Sequence, residues 1–465
     1  MNCELCIIGA GPGGYRAAEL AAKAGLKVVI IEAGHVGGTC LNVGCIPTKT
    51  YVHAATFAEA RERMAQVVPQ LRQGVETILS HPNITLVRGK ASFVDANTVG
   101  VQPLPSLVGE GQGVGSVTIT ASYIIIATGS ETKWLPIAGI DDPRVVDSTG
   151  LLNLDTLPRR LCIIGAGVIG MEFACVFHRF GSEVTVIEYL KECLPALDGD
   201  IARRLRKYLE KPQRCEGTSE MKSGITFKMK TAVENIADID ADCILMATGR
   251  KPHTEGLNLE AAGITLAPNG AIPVDDNFQV VNRKSENGAS LYAIGDCNGK
   301  QMLAHAAEAQ ARIVIDQIIS HKSAVANFSL FTLHSSLSTL HSSLSIMPAA
   351  IFTTPEAACV GPTEEQLKAC VASGSSAGTA YECRKAFWRA NGKALAMNET
   401  EGMLKLFSEP GAGRILGCHA YGAHSADIIQ EVSALMCRDT TVAQLRNMVH
   451  IHPTLSEILL SAAET

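Results

Sequence analysis

One pattern is written twice in this chain, and it leaves little choice of fold. An apolar strand runs into closely spaced glycines, then into a helix-forming stretch, then into a second strand that ends in glutamate. The first copy is Glu4-Leu5-Cys6-Ile7-Ile8, the loop Gly9-Ala10-Gly11-Pro12-Gly13-Gly14, an alanine-rich helix to about Ala24, and a strand from Lys27 to Ile31 closed by Glu32. The second is Leu161-Cys162-Ile163-Ile164, the loop Gly165-Ala166-Gly167-Val168-Ile169-Gly170, a helix to about Phe180, and a strand from Glu183 to Ile187 closed by Glu188. Glycine lets such a loop turn tightly and approach a pyrophosphate at the helix N-terminus, where N–H groups favour negative charge. The glutamate is suited to the two ribose hydroxyls. Gly9, Gly11, Gly14 and Glu32, and again Gly165, Gly167, Gly170 and Glu188, are therefore candidate dinucleotide-binding residues.

Two dinucleotide sites in one chain imply electron transfer from one cofactor to another. At the second site Glu188 favours NAD, because its carboxylate would repel the 2′-phosphate of NADP and no arginine follows directly. The predicted class is α/β, with two dinucleotide-binding Rossmann-like domains. From about Met347 an alternating apolar pattern followed by helices predicts a separate α+β domain.

The segment Gly37-Gly38-Thr39-Cys40-Leu41-Asn42-Val43-Gly44-Cys45-Ile46-Pro47-Thr48-Lys49 starts five residues past Glu32. A cysteine pair beside a bound dinucleotide points to electrons moving between sulfur and cofactor. In a regular helix Cys40 and Cys45 would have Cα atoms more than about 8 Å apart, too far for a disulfide. The turn between them must be distorted, and Gly44 supplies the freedom. A helix start nearby would lower a thiolate pKa.

Two near repeats, Ile124-Ile125-Ile126-Ala127-Thr128-Gly129-Ser130 and Ile244-Leu245-Met246-Ala247-Thr248-Gly249-Arg250, look like strand ends that meet ligands. The run Leu291-Tyr292-Ala293-Ile294-Gly295-Asp296 delivers an acid suited to the hydroxyls of a sugar-like chain.

In combination these motifs resemble the pyridine nucleotide-disulfide oxidoreductases, flavoenzymes dependent on FAD and NAD(P). The resemblance rests on GAGPGG at 9–14, GGTCLNVGCIPTK at 37–49, ATGS at 127–130, GAGVIGME at 165–172, ATGRKP at 247–252, YAIGD at 292–296, LAHAAEAQA at 303–311, FTTPEAACVG at 352–361 and HIHPTLSE at 450–457. The closest likeness is to the members that oxidise protein-bound dihydrolipoamide to lipoamide and reduce NAD+ to NADH. It implies that Cys40 and Cys45 form a redox disulfide, Cys40 as interchange thiol and Cys45 against the flavin. His452 resembles the catalytic base oriented by Glu457, contributed by the partner subunit of a homodimer. Lys49 and Glu172 resemble an ion pair near the two cofactors, and Asp296 a ligand of the FAD ribityl chain. Further cofactor-binding positions implied are Thr39, Lys49, Ala91, Thr128, Gly129, Ser130, Gly249, Gly295, Leu303, Ala304 and His305. The implied partners are the lipoyl-bearing acyltransferase core of 2-oxo-acid dehydrogenase complexes or the glycine cleavage H protein.

Chemistry agrees with these roles. Forming a thiolate from a dithiol needs a base with a near-neutral pKa, and histidine supplies one. A carboxylate on the other ring nitrogen fixes the tautomer. His452-Pro453 permits a cis peptide. His450 reads as a surface or packing residue. Relatives that act on other disulfides or on metals fit less well: Glu188 opposes NADP, and the ending Leu460-Ser461-Ala462-Ala463-Glu464-Thr465 has no second cysteine pair.

The implied division is a FAD-binding part at 1–143, an NAD-binding domain at 144–265, a second FAD-binding part at 266–327, a serine-rich insertion at 328–345 and a dimerisation domain at 346–465. Residues 332–338 and 339–345 are identical copies of Thr-Leu-His-Ser-Ser-Leu-Ser, which predicts an exposed insertion where His334 and His341 hold no metal. The second nucleotide unit looks short between Glu210 and Ala247, as though strands of a β-meander were missing, and the stretch Tyr51–Leu79 looks compressed. A catalytically impaired flavoprotein subunit, or a related NAD(P)H-dependent disulfide reductase, is the alternative.

Other classes are disfavoured. A net charge of −6 and 5% aromatic residues supply neither the basic footprint nor the stacking platforms of a nucleic-acid binder. No apolar run is long enough for a membrane helix. The fifteen cysteines are odd in number and many lie singly in apolar runs, as at Cys162, Cys175, Cys243 and Cys297, so they do not form a secreted disulfide framework. The strand pattern begins at about Cys3, so no targeting segment is expected and the expected compartment is a reducing cytoplasm.

Overall fold

The computed structural model describes residues 1–103, 117–214, 221–281, 288–325, 346–373 and 380–465. The tandem repeat at 332–345, with His334 and His341, lies outside them. The chain forms two compact units, residues 1–54, 58–133 and 250–344 in one, and 55–57, 134–249 and 345–465 in the other.

The first unit opens with β1 (Asn2–Ile8), α1 (Pro12–Lys23) and β2 (Val28–Glu32). The last four residues of β1 are buried, as expected of a strand covered on both faces. Ala17, Ala18, Ala21 and Ala22 of α1 are all buried, and their small side chains let the helix lie close to its neighbours. Then come α2 (Gly38–Val43), α3 (Cys45–Val52), α4 (Phe57–Leu79), β3 (Ile84–Arg88), β4 (Lys90–Phe93), β5 (Thr98–Gln102), β6 (Val117–Ile126) and β7 (Ser130–Thr132). The sheet order is β3-β2-β1-β6-β5-β4. β6 serves two layers. Its N-terminal half alternates buried and exposed residues and pairs antiparallel with β5, while Ile124, Ile125 and Ile126 are fully buried and pair parallel with β1. The stretch Tyr51–Leu79, expected to be compressed, is the end of α3 and a 23-residue α4.

The second unit repeats the plan with β8 (Val145–Val146), α5 (Ser148–Leu152), β9 (Arg160–Ile164), α6 (Val168–Phe180), β10 (Glu183–Glu188), α7 (Gly199–Leu209), β11 (Gln213–Arg214), β12 (Met221–Lys222), β13 (Thr226–Met229) and β14 (Cys243–Met246). Its sheet, β13-β10-β9-β14-β8, is parallel throughout. No meander is present among the described residues. From Met229 the chain reaches Cys243 through one 3₁₀ turn, Ile236–Asp238. Among the described residues the shortness visible in the sequence thus shows as the lack of an antiparallel layer between β13 and β14, and the parallel core closes without it.

The chain returns to the first unit with β15 (Arg250–Pro252), which pairs antiparallel with β7, and β16 (Ser290–Ala293), which continues the parallel edge of β6. Helix α8 (Ala304–Val325) follows. The rest of the second unit is an antiparallel sheet, β17 (Ala349–Ile351), β18 (Ala357–Val360), β19 (Glu382–Phe387), β20 (Gly402–Ser408) and β21 (Ile415–Gly422), in the order β17-β18-β21-β20-β19. Around it lie α9 (Glu364–Ala372), α10 (Gly392–Met397), α11 (Ser425–Met436), α12 (Val442–Arg446) and α13 (Ile458–Glu464). Leu404, Leu406, Cys418 and Ala420 face an apolar core with Ile428, Ile429 and Leu459. The other face of the sheet carries a cross-strand row, Cys359, His419, Lys405 and Lys385. Buried Lys405 donates to both oxygens of buried Asp198 at 2.7 and 2.8 Å and to Glu364 at 2.6 Å. Asp198 also caps α7, and its backbone N–H donates to His419 Nδ1 at 3.0 Å.

Candidate active site

The two glycine loops are built alike. Gly9 has φ +102° and Gly165 φ +107°, and a Cβ on either would run into a carbonyl, that of Ala127 or of Ala247. These are the alanines of the two Ala-Thr-Gly repeats, so each repeat closes the floor of one loop. A Cβ on Gly14 or Gly170 would strike the carbonyl of Gly9 or Gly165 in turn. Glu32 accepts from the N–H of Ala10 and of Gly34, both at 2.7 Å. Glu188 accepts from Ala166 N at 2.6 Å and Leu190 N at 2.7 Å. Each carboxylate is thereby held at the loop, and a carboxylate has further lone pairs for ribose hydroxyls. Both cradles thus fit a dinucleotide.

The redox segment lies against the first loop. Gly38, at φ +60°, opens α2 so close to Gly11 that a Cβ would come within 2.7 Å of the Gly11 Cα. Thr39 and Cys40 are on α2 and Cys45 begins α3. Between them Gly44 takes φ −134° and ψ −113° and breaks the helix as the spacing required. A Cβ there would lie 2.9 Å from Thr39 O and 3.3 Å from Cys40 Cα. Both cysteines are thiols, and their side chains are hydrogen-bonded to each other. That bond, with burial behind it, pushes the Cys40 thiol up, while the charge of Lys49 on α3 opposes it. The lowering expected from a nearby helix start is therefore outweighed at Cys40. Sequence reasoning missed Asn42 and Arg72. The Asn42 amide donates to Val36 O at 3.0 Å and Gly38 O at 2.9 Å, and its oxygen accepts a fork from Arg72 of α4 at 3.0 and 2.8 Å. This fork ties the redox helix to α4 across thirty residues of sequence.

At the other end of the first cradle, Ser130 Oγ donates to Asp296 at 2.5 Å. Burial pushes the Asp296 carboxyl up, against the Ser130 bond and the charge of Arg250. Thr128 donates to His253 O at 2.6 Å, and Gly129 has φ +73°. Gly295 also has φ +73°, and its N–H donates to the buried Gln310 of α8 at 2.8 Å. Leu303, Ala304 and His305 stand at the start of α8. Ala91 is on β4, paired with Val101 at the sheet edge. Arg250 and Gln310 both lie inside recognised motifs that give neither residue a role of its own.

In the second unit Gly249 has φ +103° at the end of β14. Glu172 on α6 is buried and accepts from Phe352 N at 2.9 Å. His452 Nδ1 lies 2.9 Å from Glu457 Oε1, and the other carboxylate oxygen accepts from Thr454 N at 2.8 Å. The Thr454 N–H and His452 together hold the Glu457 carboxyl below its usual range. An ionised carboxylate only accepts, so Nδ1 carries the hydrogen, and in the neutral ring Nε2 keeps its lone pair. The His452-Pro453 bond is cis. The His452 side chain is 79% exposed, and the preceding Ile451 at 80% and Val449 at 100% are exposed with it. His450, two residues away, turns inward: Nε2 lies 2.9 Å from Glu431 of α11 and the ring is buried.

Among the described residues no helix is long and apolar enough to cross a membrane, and no three metal-ligating side chains cluster. The family model for "Pyridine nucleotide-disulphide oxidoreductase" matches residues 3–311, and that for its dimerisation domain matches 347–463. Dihydrolipoyl dehydrogenase of Geobacillus stearothermophilus is 35% identical over 100% of this chain and 96% of its own length. Leghemoglobin reductase of Glycine max is 32% identical over 99% of this chain and 87% of its own. Among solved structures, the Cu(II) complex of the HOCl-induced flavoprotein disulfide reductase RclA from Escherichia coli superposes with a TM-score of 0.84, at 32% identity, covering 100% of this chain and 99% of that one. Two matching cradles, a cysteine pair set against the first, and family matches that cover both the nucleotide-binding part and the dimerisation domain leave one conclusion: the chain belongs to the class I pyridine nucleotide-disulfide oxidoreductases, as an FAD- and NAD-dependent homodimeric flavoprotein.

Proposed function

We propose that this protein is a dihydrolipoyl dehydrogenase, oxidising protein-bound dihydrolipoamide through the Cys40–Cys45 pair and reducing NAD+. The observation that carries this is the pair itself, two thiols in hydrogen-bond contact across the break at Gly44 and set beside the first dinucleotide loop. The full-length likeness to enzymes of that name supports the choice of substrate. FAD is assigned to the 1–143 and 266–327 parts, with Gly9, Gly11, Gly14, Glu32, Thr39, Ser130 and Asp296 holding it. NAD is assigned to 144–265, with Gly165, Gly167, Gly170, Glu188 and Gly249.

When bound, FAD supplies a two-electron relay and NAD the final hydride acceptor. The chain's own residues perform the sulfur chemistry. His452 of the second copy takes a proton from one lipoyl thiol at Nε2, and Glu457 stabilises the imidazolium through Nδ1–H. The lipoyl thiolate attacks Cys40 Sγ of the oxidised pair; the Cys40–Cys45 bond breaks and Cys45 leaves as thiolate. The second lipoyl thiol then attacks the mixed disulfide, closing the lipoyl ring and releasing Cys40. Lys49 and Glu172 are assigned to charge placement near the cofactors. The expected partners are a lipoyl-bearing acyltransferase core or the glycine cleavage H protein, in the cytoplasm.

Anaerobic titration of the purified protein with dihydrolipoamide, followed by NAD, tests this. The visible flavin spectrum should change on the first addition and return on the second as NADH appears. His452→Gln should lower the rate roughly 10²–10⁴-fold, the usual contribution of a general base. A spectrum unmoved by dihydrolipoamide sinks the assignment. If the same protein is then reduced by NADH in the presence of Cu(II) or another disulfide, the second reading, favoured by the RclA likeness, takes its place. A yellow protein that does neither is an impaired subunit.

A further inference from the structure

The two stretches of chain that leave and re-enter the first unit, after Lys133 and before Arg250, meet as a two-stranded ribbon, β7 with β15. Arg250 stands opposite Thr132 in that ribbon, yet its guanidinium reaches the first residue of β7: Nε donates to Ser130 Oγ at 2.6 Å and Nη2 to Ser130 O at 2.5 Å. Ser130 Oγ has one proton, and it goes to Asp296 at 2.5 Å. Arg250, Ser130 and Asp296 thus form a directed chain, cation to hydroxyl to carboxylate. Each link polarises the next, and charge-assisted links are the strong ones. The fork is bidentate on a single residue, so it fixes the hydroxyl direction as well as its position.

We propose that Arg250 is a positioning residue for FAD, aligning Ser130 so that the Asp296 carboxylate keeps its orientation and its charge toward the cofactor's sugar chain. The proposal rests on the assignment of Asp296 to FAD made above. Facing Asp296 among the described groups are the Ser130 hydroxyl, the Arg250 guanidinium and the Cys297 thiol next to it in sequence. Burial raises the carboxyl, and Arg250 together with Ser130 holds it down. Removing Arg250 therefore raises it further, so the carboxylate is lost at a higher pH. FAD held by that carboxylate should then be released at a higher pH than in the wild type.

The experiment is equilibrium release of FAD from the holoprotein, measured in ultrafiltrates across a bromide series and across pH. Arg250→Met should weaken FAD retention about tenfold, close to 1.4 kcal/mol, and move the acid-release midpoint upward. Arg250→Lys, which keeps the charge without the fork, should recover the midpoint more than the affinity. Arg250→Gln, a milder change that also removes the charge and the two-point fork, should weaken retention as well, which keeps the test valid if Arg250→Met does not fold. Glu131→Gln removes the exposed Lys251–Glu131 pair of the same ribbon, 2.9 Å long, and should change neither quantity. Arg250→Met with wild-type release, beside an Asp296→Asn variant that loses FAD, overturns the inference. Equal loss in Glu131→Gln also overturns it, because ribbon packing would then be the cause. An Asp296→Asn variant that keeps FAD overturns the underlying assignment instead, and Arg250 with it.

Discussion

The two nucleotide-binding halves share a cradle and differ in what surrounds it. In both, a positive-φ glycine sits on the carbonyl of an Ala-Thr-Gly repeat, and a strand-end glutamate takes two backbone N–H groups. In the first half the chain returns to cover the loop. A Cβ on Gly13, in the first turn of α1, would meet Ile294 at 3.2 Å and Ala307 at 3.3 Å, and Gly11 is backed by Gly38. In the second half a Cβ on Gly167 would meet nothing within 4 Å, and Val168, first residue of α6, is 44% exposed. The parts common to both suffice for a dinucleotide; the additions suit a cofactor that stays, and their lack suits one that exchanges every turnover.

Among the described residues the second half has, between β13 and β14, no antiparallel layer like β4-β5 of the first, and it finds support elsewhere. The N-terminus of α7 is pinned to the antiparallel sheet by Asp198, Lys405, Glu364 and His419. Removing one partner of a buried ion pair leaves the other uncompensated, which costs about 3–5 kcal/mol. Lys405→Met should therefore lower the unfolding free energy of the second unit, read by urea denaturation, by that amount, the largest effect expected here. The double variant Lys405→Met with Asp198→Asn should recover part of it. Acid sharpens the point. Burial pushes the Glu364 carboxyl up, but Lys405 and Lys368 hold it down to about 2. A depressed carboxyl contributes stability that is full above the unfolded value near 4.3 and is lost as pH falls toward 2. Wild-type stability should fall across that window, and the slope should flatten in Lys405→Met. An unchanged slope would mean that this network does not anchor the second half.

Alanine at the equivalent glycines compares the cradles directly. Gly9→Ala and Gly165→Ala each drive a Cβ into a carbonyl at a left-handed position, at a cost of about 3 kcal/mol, or roughly a hundredfold in cofactor affinity. The flavin-to-protein absorbance ratio should collapse in Gly9→Ala and hold in Gly165→Ala, whose loss appears as a raised KM for NAD. Loss of flavin in both would show that the halves are not independent.

What the sequence revealed and what it hid follow the same division. The cradles were legible because glycine spacing and strand periodicity are local. The shortness of the second unit was legible because the stretch from Glu210 to Ala247 is short beside the one the family resemblance implies, and its described residues form no meander. Lys405 was not. It lies in Gly402–Ser408, a strand buried along its whole length, where alternation places a lysine toward solvent and only the packing of α7 on that face reverses this. The Asn42–Arg72 fork and the Arg250–Ser130–Asp296 chain were equally silent, since polar partners thirty or more residues apart leave no period to read. His450 was read as surface or packing, and Glu431 makes it a buried, paired residue.

The smallest expected effect separates the two carboxylates. Glu188 spends one lone pair of each oxygen on Ala166 and Leu190 and has two left for a ribose. Glutamine offers one oxygen, so Glu188→Gln must turn an amide N–H toward one of those backbone donors and loses the charge that disfavours a 2′-phosphate. KM for NAD should rise about tenfold, the loss of one charged hydrogen bond, and the preference for NAD over NADP should narrow. Glu32→Gln makes the same change where other contacts cover the loop, so its fractional loss of FAD should be smaller. Steady-state kinetics with both nucleotides, beside FAD release from both variants, gives the comparison. If the NAD to NADP ratio does not move, the Glu188 carboxylate serves only to brace its loop, and the second cradle selects its nucleotide by some other contact.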